Sequence, residues 1–159
     1  KRWVDYALTR NPNTSFFFGH RWESGGPTTN LSKYDTISRK NSADCYDTCQ
    51  KLRVLYPNNR FYFVNYGLAS VRLKCLFEAG KLPEIESLIA TKNKSGVYAD
   101  AGGHASHMLK ELSALMWLKV LYDIDLAPAE SSPNASKIDL KALAKELIGE
   151  QVQRKQKMR

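Results

Sequence analysis

The sequence predicts a helix-rich α/β or α+β domain, with about five helices packed on a small sheet of roughly two to four strands, plus a basic amphipathic C-terminal helix. Short aromatic runs ending in glycine, at 16–18 and 61–66, are typical of strands. Apolar residues at intervals of three or four positions follow these runs and indicate helices. The length of 159 residues suits one core and is short for two.

The first half of the chain predicts a short helix or strand over 3–8 and a strand over 15–18. The polar segment 20–40 reads as a long loop. Ser42 is then the expected N-cap of a helix that ends near Leu55. The inner face of that helix is predicted to carry Cys45, Cys49, Leu52 and Tyr56.

The second half predicts mainly helices. We expect helices over 68–79, 84–90 and 104–122, with a short strand over 96–99. Residues 127–136 are rich in proline and serine and predict a linker after a globular domain over 1–126. Residues 137–159 are expected to form the basic amphipathic helix and tail, and Ser136 with Asp139 resembles a capping box that opens it.

Composition limits the functional classes. The chain carries a net charge of +8, and residues 151–159 contain four cations and no acid, which favours a polyanionic partner. Three cysteines cannot form a complete internal disulfide framework, so we expect an intracellular protein, cytoplasmic or nuclear. No apolar run approaches the roughly 20 residues of a membrane span. Because the chain begins at Lys1 without methionine, we expect a domain cut from a longer protein.

The first functional hypothesis is a nucleic-acid-binding module, with RNA favoured. Cations around the aromatic strand would hold phosphates and its rings would stack on bases. The residues expected to do this are Arg53, Arg60, Tyr62, Tyr66, Arg72, Lys74, Arg154, Lys155 and Lys157.

The same strand partly resembles the RNP1 motif of RNA-recognition-motif domains. The matching positions are Phe61, Phe63, Val64 and Tyr66. The departures are Asn59, Arg60 and Tyr62, where the motif has a basic residue, a glycine and a small residue. We therefore do not assign the chain to that family.

The alternative hypothesis is an α/β enzyme, or part of one, that acts on a nucleotide or a phosphorylated substrate. Apolar runs end in glycine at Gly19, Gly67 and Gly102, and strand–glycine–helix junctions favour phosphate groups. The expected site residues are His20, Arg21, Glu23 and Asn65. No cofactor is expected.

Two further interpretations stay open. Paired cysteines and histidines at helical spacing form a permitted zinc set, although buried core cysteines explain the pattern better. That set is Cys45, Cys49, His104 and His107. The chain is also a candidate protein-interaction domain that docks into a partner through its C-terminal helix.

Overall fold

The computed structural model describes residues 1–126 and 137–157, with side chains described as far as 151 in the last helix. These residues form helices α1 Arg2–Arg10, α2 Leu31–Leu55, α3 Leu68–Glu78, α4 His107–Tyr122 and α5 Leu140–Lys157. The strands are β1 Phe16–His20, β2 Phe61–Asn65, β3 Ser87–Ile89 and β4 Gly96–Tyr98. With 52% helix and two small parallel sheets, the predicted helix-rich α/β or α+β class is confirmed.

The first sheet is a β1–α2–β2 unit. The two strands run parallel, with Phe16 opposite Phe61 and His20 opposite Asn65. Alternating side chains place the aromatic residues of positions 16, 18, 61 and 63 on the face covered by α2. Among the described residues β2 pairs with β1 alone, so its other edge is open.

The crossover helix α2 is longer than predicted. It begins at Leu31, because the side chain of Asn30 accepts a hydrogen bond from Lys33 N at 2.9 Å. The first part of the helix therefore replaces the expected loop, and Ser42 is an interior residue. Cys49 and Leu52 are buried against the sheet, as predicted.

The second sheet corrects another expectation. Residues 87–89 form β3 instead of a helix, and they pair in parallel with the predicted strand at 96–98. Within the connection between the two strands, Thr91 and Lys94 form an isolated antiparallel β-bridge. The predicted helix over 84–90 would have only seven residues. A helix this short has marginal stability, because it forms too few hydrogen bonds to offset the cost of nucleating its first turn.

The main core joins α3, β4, α4 and α5. Its fully buried members include Leu73, Val97, Leu112 and Ala144. In the parts of the chain that the structure describes, no helix is both long enough and apolar enough to cross a membrane.

Helix α5 begins at Leu140. The carboxylate of Asp139 caps it by accepting hydrogen bonds from Lys141 N and Ala142 N, at 3.0 and 2.9 Å. Ser136 and the predicted linker at 127–136 lie outside the described residues. The apolar face of α5 belongs to the same core as α3 and α4.

Candidate active site

Three loops follow the carboxyl ends of strands. We call residues 21–30 the β1 loop and residues 99–106 the β4 loop; the third is the short turn from Asn65 to Gly67 after β2. In α/β proteins, ligands bind outside the carboxyl ends of the parallel strands. The polar side chains of these loops are therefore the candidates for a ligand site.

The ends of β1 and β2 carry a buried polar cluster. His20 and Asn65 are register partners, and both are buried. Asn65 Nδ2 donates to Ser42 Oγ at 2.6 Å, which ties the strand end to α2. Asn41 of α2 donates to Glu23 Oε1 at 2.9 Å, and the same carboxylate oxygen lies 3.9 Å from His20 Nε2. The structure thus brings together three of the four residues predicted for the ligand site.

Several polar atoms of this cluster lack partners. His20 Nε2, Ser38 Oγ and Asn65 Oδ1 are buried and form no hydrogen bond with any described residue. Burial lowers the pKa of His20 below its ordinary value, although Glu23 and the backbone of Ser38 act in the opposite direction. The imidazole is therefore neutral at pH 7, and its Nε2 can still form a hydrogen bond.

The fourth predicted residue, Arg21, is exposed on the outside of the β1 loop. Its backbone is pressed against the β2 turn: a Cβ at Gly67 would lie only 2.5 Å from Arg21 O. Gly67 N also donates to His20 O at 2.9 Å. Close backbone approach of this kind requires glycine and fixes where the β1 loop leaves the sheet.

The β4 loop carries a carboxylate–imidazole pair. His104 Nδ1 donates to Asp100 Oδ2 at 2.6 Å, and Asp100 Oδ1 also accepts from His104 N at 3.3 Å. Hydrogen bonds from His104 hold the pKa of Asp100 below its ordinary range, so the carboxylate is ionised. The imidazole is 79% exposed, and its Nε2 receives no hydrogen bond from the described residues.

The β1 and β4 loops touch. Trp22 Nε1 donates to Gly103 O at 2.9 Å. Gly103 has a φ of +86°, and a Cβ there would lie 2.5 Å from Ser24 O, so only glycine permits this contact. Ser24 is exposed and sits beside the loop that carries the pair. Ser106, the other nearby serine, is engaged, since its Oγ donates to Val97 O at 2.7 Å.

A buried hydroxyl network holds the two loops in place. Ser70 Oγ lies 2.7 Å from Tyr34 OH and 2.6 Å from Tyr98 OH, so it links α3 to α2 and to the end of β4. Tyr34 OH also donates to Glu23 O in the β1 loop at 3.1 Å. Burial raises the pKa of Tyr98, which keeps its phenol protonated.

Among the described side chains, those predicted for nucleic-acid binding do not all lie on one face. Arg72 forms ion pairs with Glu146 and Glu150 of α5. Lys74 is buried, and its Nζ lies 2.9 Å from Glu78 Oε1.

The remaining predicted nucleic-acid residues fall into three groups. Tyr66 is half-buried and packs on Trp22 and Trp117. Arg60 and Tyr62 lie at the start of β2 and within it, and Arg53 of α2 reaches this strand because its Nε donates to Phe61 O. The backbone of α5 passes through 154, 155 and 157, whose side chains lie outside the described residues.

The zinc set is not brought together. Cys45 and Cys49 are on the face of α2 that packs on the first sheet. His104 pairs with Asp100, and His107 lies 3.6 Å from Glu111 on α4. Within the described residues no three side chains among His, Cys, Asp and Glu cluster as metal ligands would.

Comparison of the chain with protein-family models, with curated proteins and with solved structures finds no match in any of the three. The candidate site therefore rests on its geometry. Sequence reasoning missed the pair of Asp100 and His104, because only His104 belongs to the predicted helix over 104–122 and Asp100 precedes the glycine junction. The available signal was an aspartate and a histidine four residues apart around two glycines, directly after a predicted strand.

Proposed function

We propose that the chain is an α/β enzyme that hydrolyses ester bonds, with His104 as general base and Asp100 as the residue that orients it. The observation that supports this most directly is the 2.6 Å hydrogen bond between His104 Nδ1 and Asp100 Oδ2 on an exposed imidazole. The pair lies after the carboxyl end of a parallel strand, where α/β enzymes carry their catalytic groups.

The role of His104 as a base follows from which of its ring nitrogens carries the proton. Because an ionised carboxylate only accepts hydrogen bonds, Nδ1 carries the proton and Nε2 holds the free lone pair. In that form Nε2 takes a proton from an attacking hydroxyl group and later returns it to the departing oxygen. The carboxylate stabilises the imidazolium that exists between the two transfers.

Ser24 is the candidate nucleophile. It is exposed on the β1 loop, and its backbone touches Gly103, next to His104 in the chain. Its Oγ would attack the ester carbon or phosphorus as His104 Nε2 takes the hydroxyl proton. The leaving alcohol takes that proton, and water then releases Ser24 by the same route. Arg21, exposed on the same loop, supplies a cation for an anionic substrate group.

A substrate panel tests the proposal. Wild-type protein is assayed with p-nitrophenyl acetate, butyrate and phosphate, and with a nucleoside monophosphate ester, across neutral and mildly alkaline pH. We expect the protein to hydrolyse at least one of these ester classes faster than buffer alone does. Hydrolysis of p-nitrophenyl phosphate would identify the substrate as phosphorylated. Absence of turnover on every ester would overturn the proposal.

A further inference from the structure

The face of the first sheet that points away from α2 carries a pair of stacked rings. Phe17 and Tyr62 lie on neighbouring strands, with ring centroids 4.6 Å apart and planes inclined by 9°. Phe17 is 37% exposed and Tyr62 is half-buried. Flat, partly exposed rings are the surfaces on which unpaired bases stack, whatever the base sequence.

A cavity opens beside this ring pair. It has a volume of about 530 Å³ and lies between β2, the last turn of α4 and the middle of α5. Tyr62 contributes to its floor, Lys119 and Tyr122 come from α4, and Gln151 comes from α5. This volume is in the range of small-molecule sites, and the cavity lies next to an existing ring.

Cations surround the same cavity. Arg53 lines it, with its guanidinium fixed because Nε donates to Phe61 O at 2.9 Å. Arg60 is exposed at the start of β2, and alternation places it on the same face as Tyr62. Lys119 also lines the cavity, where it is paired with Asp123 at 2.7 Å.

Helix α5, whose middle lines the cavity through Ile148 and Gln151, is basic in its sequence. It continues for six residues beyond Gln151, as far as Lys157. Those six residues include Arg154 and Lys155 and contain no acid. An excess of positive charge in this part of the sequence favours a polyanionic ligand.

We infer that this surface binds single-stranded nucleic acid, with bases stacked on Tyr62 and Phe17 and phosphates held by Arg60 and Arg53. This surface shares no residue with the proposed hydrolase site, which lies on the β1 and β4 loops. Of the nine residues first predicted for this role, Tyr66, Arg72 and Lys74 do not line this cavity. Tyr66 packs on Trp117, and the two cations pair with glutamates elsewhere.

Fluorescence anisotropy tests the inference, with labelled oligo(U) and oligo(dT) of about 12 nucleotides. We expect saturable binding at about 50 mM salt that weakens by at least about tenfold at 200 mM, since each neutralised phosphate contributes to the salt dependence. A preference for oligo(U) would identify RNA as the ligand, and equal affinities would identify single strands of either kind.

Matched variants locate the surface. Arg60→Gln removes an exposed cation next to the rings, and Arg2→Gln removes an exposed cation on α1, which packs on the opposite face of the sheet. We expect Arg60→Gln to weaken binding about threefold to tenfold and Arg2→Gln less than twofold. Tyr62→Leu, checked for folding by circular dichroism, should weaken it by roughly tenfold or more. No binding of either oligonucleotide at low salt, or equal effects of the two arginine variants, would overturn the inference.

Discussion

Gln151 and Asn65 exchange two hydrogen bonds although they are 86 positions apart. Asn65 N donates to Gln151 Oε1 and Gln151 Nε2 donates to Asn65 O, both at 3.2 Å. The side-chain amide of α5 thus occupies the position of a neighbouring strand at the open edge of β2. The same edge is closed at its other end by Arg53, which donates to Phe61 O. Such caps protect an edge strand from pairing with another chain.

The first prediction concerns this amide pair. Gln151→Ala removes the side-chain amide that bonds to the backbone N–H and C=O of Asn65, and both groups stay buried without a partner. We therefore expect a loss of about 1–3 kcal/mol in the free energy of unfolding. Urea denaturation at pH 7 measures it. An unchanged unfolding midpoint would show that water replaces the side chain at no cost.

The second prediction concerns close packing at Gly19. A Cβ there would lie 2.5 Å from Cζ2 of Trp117 and 2.9 Å from Cε1 of Tyr66. Gly19→Ala should therefore destabilise the protein by about 1–3 kcal/mol through overpacking. Gly149→Ala is the matched control, because nothing lies within 4 Å of its Cβ position and alanine favours the helix by about 0.5–1 kcal/mol. Equal thermal shifts for the two variants would contradict the packing described.

The third prediction concerns pH. Since burial lowers the pKa of His20, the unfolded chain takes up a proton at higher pH than the folded one. Stability from this group is complete above the ordinary histidine pKa of about 6.5 and falls as the pH drops below it. We expect His20→Gln to flatten the stability profile between pH 7 and 5, whereas His107→Gln, which alters an exposed ring, keeps the wild-type slope. Parallel profiles for wild type and His20→Gln would contradict this.

The aromatic strands could be predicted because alternation and bounding glycines are local signals. The first half of α2 could not, because its residues are polar and only two of them, Tyr34 and Ser38, are buried. The missed signals were the cap at Asn30 and the pair of Asp35 with Arg39 one turn apart.

The candidate site, like the fold, could be predicted only in part from the sequence. His20 and Asn65 could be placed together because the carboxyl ends of adjacent parallel strands meet at one edge of a sheet. The partnership of Gln151 with Asn65 depends on how α5 docks, which no local pattern encodes. The contact between Trp22 and Gly103 is likewise tertiary, so the proximity of Ser24 to the β4 loop could not be foreseen.

The fourth prediction concerns the nucleophile. A fluorophosphonate probe should label Ser24, and the adduct should be found by peptide mass spectrometry. Ser24→Ala should abolish labelling, while Ser106→Ala should retain it, because Ser106 is held by Val97 O. Full ester turnover by Ser24→Ala would assign the attack to water and remove Ser24 from the mechanism, while leaving the role of His104 intact.

The most direct measurement is kcat/KM for the ester that the wild-type protein hydrolyses, compared between His104→Gln and His107→Gln. Both histidines are exposed and lie three positions apart, and each is beside a carboxylate. Only His104 is hydrogen-bonded to its carboxylate within the β4 loop, at 2.6 Å. We expect kcat/KM to fall about 10²–10⁴-fold for His104→Gln and to stay unchanged for His107→Gln. Equal kcat/KM values for the two variants would contradict it.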